Sequence, residues 1–244
     1  LVPANKLSDL LQGVLGPAAY ESVGLPPLPL DTEAQGAAPM SVYKELQKSI
    51  GVQISAATDA IIDEINSREW PLDELSGATV TGKVHPGFHC WGQSDTDEKK
   101  NILTVVKTCN SRQSIYVSRE LNSGFFEYEF RYLEGEGWPE AAFYRYATQE
   151  FSRGRPSNRA GEDDVENFTC VDDIVQMKDN GIRRKTAYCA RAYKKYPNLY
   201  DVFYMGVTLN KGNKALMEHF CLSGVSKDKS NAFLARFIKQ VDWQ

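Results

Sequence analysis

Phe126-Glu127-Tyr128-Glu129-Phe130-Arg131-Tyr132 decides how the chain is read: four aromatic residues alternate with three charged ones. Successive side chains of a strand point to opposite faces, so this stretch predicts a strand with an aromatic face inward and a charged face outward. The pattern extends on both sides. Ile115-Tyr116-Val117 reads as a shorter strand, and a helix is expected from about Trp138 to Ser152, with Pro139 in its first turn. The mixture of Arg, Gly, Pro, Ser and Asp from Arg153 to Glu166 reads as a surface loop. Further on, Leu199 to Leu209 and Ala215 to Leu222 flank Asn210-Lys211-Gly212-Asn213, a hairpin turn. The last helix follows, with Ser226 as cap and Ala232, Phe233, Phe237, Ile238 and Val241 turned to the core. Residues 78–244 therefore predict an α+β domain: an antiparallel sheet with flanking helices. The alternative is two successive small modules.

Upstream the composition changes. Leu7, Leu10, Leu11, Val14 and Leu15 suggest a short amphipathic helix, and a Pro- and Gly-rich stretch to residue 40 reads as an arm. Residues 41–77 are expected to hold two helices. One is capped by Ser41 and ended by Gly51; the other is capped by Ser55 and broken at Trp70-Pro71.

Two cysteine pairs share one spacing. Phe88-His89-Cys90 is followed by Cys109, and Phe168-Thr169-Cys170 by Cys189, each element displaced by eighty positions. Sliding the chain by that offset also aligns Ile102 with Ile182 and Tyr116 with Tyr196. Matched separations of this kind predict two disulfide-closed loops, Cys90–Cys109 and Cys170–Cys189. Each loop of about 20 residues would contribute on the order of 3 kcal/mol by chain entropy. Bridges of this kind imply a secreted or periplasmic protein, because cytosolic thiols stay reduced. Cys221 is left over, in a strand-like run where a thiol serves as a small apolar group. The sequon Asn167-Phe168-Thr169 fits a secreted chain. The chain opens at Leu1 without an initiator Met or a signal-peptide core, so it reads as a fragment or a mature product.

The formal charge of −4 offers no overall basic field for nucleic acid or anionic lipid. No apolar run approaches the roughly 20 residues needed to span a bilayer. Catalytic constellations are sparse. Only His85, His89 and His219 are present, and Pro86-Gly87 keeps the first two off a shared helical face. Two chemical alternatives follow: a metal held by His85 and His89, or a hydrolase whose nucleophile is Cys90. No Gly-rich phosphate loop or Rossmann fingerprint occurs, and no cofactor is expected. The candidate binding surface is the cluster Arg183, Arg184, Lys185, Arg191, Tyr193, Lys194, Lys195 and Tyr196, joined by Tyr188. Cations interleaved with aromatics suit acidic peptides or stacked bases, and the acidic balance sets nucleic acid aside.

Three stretches carry a resemblance. Leu1-Val2-Pro3-Ala4-Asn5-Lys6-Leu7-Ser8-Asp9-Leu10-Leu11 resembles the end of a trypsin-like protease domain in bacterial multi-domain serine proteases. Cys189-Ala190-Arg191-Ala192-Tyr193 with Pro197 to Val202, and Leu222 to Ser226 with Asn231-Ala232-Phe233, resemble their C-terminal extension. The resemblance implies an accessory region that binds protein or restrains an adjoining protease domain. The protease's His, Asp and Gly-Asp-Ser-Gly segment do not occur here, so no catalytic residue is carried over. A secreted interaction protein unrelated to proteases is a further alternative.

Overall fold

The structure, a computed structural model, describes residues 39–158, 160–176, 182–209 and 211–243. The expected N-terminal helix and the Pro-rich arm up to residue 38 lie outside the described residues, as does the protease-like segment Leu1–Leu11. The chain divides into two compact units, Leu1–Lys44 and Glu45–Gln244.

In chain order the elements are α1 (Pro39–Ser67), β1 (Leu72–Leu75), β2 (Ala78–Thr81), β3 (Phe88–Asp97), β4 (Ile102–Ser111), β5 (Ile115–Ser118), β6 (Leu121–Ser123), β7 (Phe126–Gly135), α2 (Glu140–Arg153), β8 (Thr169–Gln176), β9 (Arg183–Ala192), β10 (Tyr200–Leu209), β11 (Lys214–Val225) and α3 (Lys227–Lys239). Seven strands form one antiparallel sheet in the order β3-β4-β7-β11-β10-β9-β8. The fold is α+β, as expected. Two modules do not form: the β3–β4 and β8–β9 hairpins are the two outer pairs of a single sheet, joined through β7, β11 and β10.

The alternation in Phe126–Tyr132 is realised in full. Phe126, Tyr128, Phe130 and Tyr132 are buried on one face, with Val202 and Tyr204 of β10 and Phe220 and Leu222 of β11. Phe233 and Phe237 of α3 cover this face, and Phe237 stacks on Phe130 at 5.3 Å between ring centroids. Ile62 and Ile65 of α1 and Trp70 complete the layer. Each such side chain contributes about 1.5–3 kcal/mol when fully buried. On the opposite face α2 covers only part of the sheet, packing Phe143, Ala147 and Phe151 onto Leu133, Val207 and Ala215.

Two local expectations are corrected. Residues 39–67 form one helix, not two, and Gly51 lies within it. A Cβ on Gly51 would sit 3.4 Å from the Tyr196 ring, so this glycine admits a close neighbour and ends nothing. Ser55 is therefore mid-helix, its hydroxyl directed to Asp59 at 3.3 Å. Ser226 does stand at the N-cap of α3, but its hydroxyl donates to Asp59 of α1 at 3.0 Å and leaves the helix's own N–H groups without a side-chain cap. It joins two helices.

Candidate functional site

Strand register places the two disulfides in neighbouring cross-strand rows of the sheet. Cys90, Cys109, Tyr128, Phe220, Tyr204, Tyr188 and Val171 form one cross-strand row on the face covered by α3. The next row, His89, Asn110, Glu127, Cys221, Phe203, Cys189 and Cys170, belongs to the α2 face. Both predicted bridges, Cys90–Cys109 and Cys170–Cys189, are present. One staples the β3 edge on one face, and the other staples the β8 edge on the opposite face. Cys221 is buried and free, and burial pushes its thiol up to about 11.

The part of the α2 face left open by the helix contains a polar cleft of about 270 Å³. Its floor is built from the charged side of the opening motif, Glu127, Glu129 and Arg131, and from Met217 and His219 of β11. Glu150 and Arg153 of α2 and the following Arg155 form the rim. His219 stands between two carboxylates, with Nε2 3.9 Å from Glu127 and Nδ1 4.0 Å from Glu129. Arg131 donates to Glu129 at 3.0 Å and lies 3.9 Å from Glu150. Thr108 donates to the other Glu129 oxygen at 3.0 Å. Burial acts to raise the Glu127 carboxyl, but His219, Ser157 and Asn110 outweigh it and hold the group below its ordinary range. The cleft therefore presents carboxylates and guanidinium groups already paired with one another. That arrangement suits recognition of a ligand carrying both donors and acceptors, such as a peptide or its side chains.

No family model matches the chain, and no curated protein matches it. Among solved structures, it is similar to the solution structure of cyanobacterial PsbP (CyanoP) from Synechocystis sp. PCC 6803. The identity is 14% over 72% of this chain and 92% of that one, with a TM-score of 0.30. That likeness is too slight to bear on function.

The other candidate groups are committed to local contacts. His85 accepts the Gly87 N–H on Nδ1 and lies 3.2 Å from Glu64 through Nε2. His89 stacks on Trp91. Among the described residues no group of His, Cys, Asp and Glu is arranged to hold a metal. None of the helices described is long and apolar enough to cross a membrane.

The basic cluster does not stay together. Arg183 is exposed, whereas Arg184 turns inward and is buried against Glu218 and the carbonyls of Ile238 and Val241. Lys185 lies over the Phe151 ring. Arg191 forms an ion pair with the buried Asp201 at 2.8 Å, and Tyr193 donates to the same carboxylate at 2.7 Å. Lys194 donates to the Glu162 carbonyl, and Lys195 pairs with Asp164. Tyr196 is buried in a cluster with Ile54 and Leu199. What sequence reasoning passed over was the cleft, although a signal was there: Glu127, Glu129 and Arg131 alternate on one strand as Met217, His219 and Cys221 do on another. Only the β7–β11 pairing brings the two sets together.

Proposed function

We propose that the chain is a non-catalytic, disulfide-braced region that binds protein in an oxidising, extracytoplasmic compartment, as the accessory part of a trypsin-like serine protease. The observation that carries the non-catalytic half is the Cys90–Cys109 bridge, which removes the thiol that a cysteine-hydrolase reading needs. A Cys90 nucleophile would require that bridge to be reduced. His219, the remaining candidate base, is held between Glu127 and Glu129 with no free Ser or Cys among the residues lining the same cleft. The protease half is supported by the resemblance in Leu1–Leu11, in Cys189–Tyr193 with Pro197–Val202, and in Leu222–Ser226 with Asn231–Phe233.

The test is functional. The purified 244-residue chain is assayed with peptide amides and esters, and then added to the trypsin-like protease encoded in the same open reading frame or beside it. The proposal expects no turnover by the chain alone and a changed KM or inhibition of the protease. Turnover by the chain alone overturns the non-catalytic reading. The lack of any such protease, or no effect upon it, overturns the accessory assignment.

A further inference from the structure

The outer edge of β8 has the chemistry of a strand acceptor. The Cα atoms of Cys170 and Cys189 are 4.0 Å apart, the short spacing of a non-hydrogen-bonded antiparallel pair. Residues in that phase, Cys170, Asp172, Ile174 and Gln176, turn their N–H and C=O groups away from β9. Among the described residues no strand pairs with that side. All eight residues of β8 are exposed, Val171 to 68% and Ile174 to 56%.

The side chains show what the edge would accept. Alternation sets Cys170, Asp172 and Ile174 on the α2 face and Val171, Asp173 and Val175 on the other, so each face carries an aspartate between two apolar groups. Two-fold pairing of two copies about the middle of β8 would set Asp172 against Asp172, or Asp173 against Asp173. Like charges directly opposite oppose pairing. Residues 1–38 hold one basic residue, Lys6, and so no adjacent pair of cations. Asp173 also accepts the N–H of Ile174 at 2.7 Å, so its carboxylate occupies one of the outward donors. A cation that draws this carboxylate away frees that donor for a new ladder.

We infer that the β8 edge binds an extended segment of a partner polypeptide that carries two adjacent basic residues flanked by β-branched ones. Main-chain hydrogen bonds form along Cys170–Gln176, and the two cations face Asp172 and Asp173, one on each face. A groove of about 430 Å³ adjoins this edge on the α2 face, lined by Phe168, Phe203, Met205 and the Cys170–Cys189 bridge. It receives an apolar side chain from the added strand. The inference rests on the protein-binding reading above and names its partner.

The experiment uses the full chain and a short fluorescein-labelled peptide of valine and threonine with two central lysines. A twin peptide carries two glutamates instead. Fluorescence anisotropy is followed at low and high salt, with far-UV circular dichroism as the check on folding. The expected result is saturable binding of the lysine peptide, weakened at least fivefold by salt, and none of the glutamate peptide. Asp172→Pro removes an outward N–H without touching the β9 ladder and should abolish binding. The double variant Asp172→Lys with Asp173→Lys should exchange the preference toward the glutamate peptide. Equal binding of both peptides, no binding of either, or unchanged binding by a folded Asp172→Pro variant overturns the edge site. None of these outcomes touches the turnover assay, so the two proposals fail separately.

Discussion

Arg184 of β9 and Glu218 of β11 meet across the strand between them, 3.3 Å apart, with side chains only 1% and 2% exposed. The intervening residue of β10 is Gly206, paired with Thr186 on one side and Glu218 on the other. Tyr204 donates to the same Glu218 oxygen at 2.8 Å. Arg184 also donates to the carbonyls of Ile238 and Val241, which ties the end of α3 and the chain after it to the sheet. Truncating one partner leaves the other charge buried and uncompensated. Arg184→Ala should lower unfolding free energy by about 3–5 kcal/mol in urea titration. The paired replacement Arg184→Met with Glu218→Leu should cost far less, since both charges leave together. Equal losses in the two proteins would mean that packing rather than charge governs the site.

Gly206 makes this contact possible. A Cβ there would lie 2.7 Å from the Glu218 carboxylate and 2.8 Å from the Tyr204 hydroxyl. Gly206→Ala should therefore displace both groups and destabilise the chain by about 1–3 kcal/mol. Gly212→Ala, with no atom near its Cβ but φ at +65°, is the contrasting case, limited to backbone strain. Thermal midpoints of the two variants compare them directly.

Glu127 makes the fold sensitive to acid. Its folded pKa lies below the ordinary 4.5, so its contribution is present above that value and is lost as pH falls through the folded value. Glu127→Gln should flatten the loss of stability on the acid side, below about pH 4.5, while lowering stability near neutrality. Urea midpoints measured from neutral to acid pH test this. An unchanged acid limb would show that the carboxylate does not contribute.

Much of this architecture is legible in the residues. The aromatic alternation at 126–132, the turn around Gly212 and the position of Ser226 all predict what they form, because each depends on neighbours within a few positions. Gly51 misleads because a helix tolerates a glycine when tertiary contact repays it, and the contact, Tyr196, lies far along the chain. The basic cluster misleads for the same reason. Alternation already separates Arg183 and Lys185 from Arg184, but nothing local shows that Glu218 waits for Arg184, or Asp201 for Arg191. The cleft is hidden more deeply still. It exists only because β7 and β11, distant in sequence, are neighbours at the centre of the sheet.

The sulfur chemistry of this chain is structural: two cross-strand bridges, and one thiol sealed in the interior. Native thiol labelling followed by peptide mass spectrometry tests it most directly. The expected result is no label on the folded protein, label on Cys221 alone after unfolding without reductant, and label on all five cysteines after unfolding with reductant. Label on Cys90 in the folded, unreduced protein would contradict it.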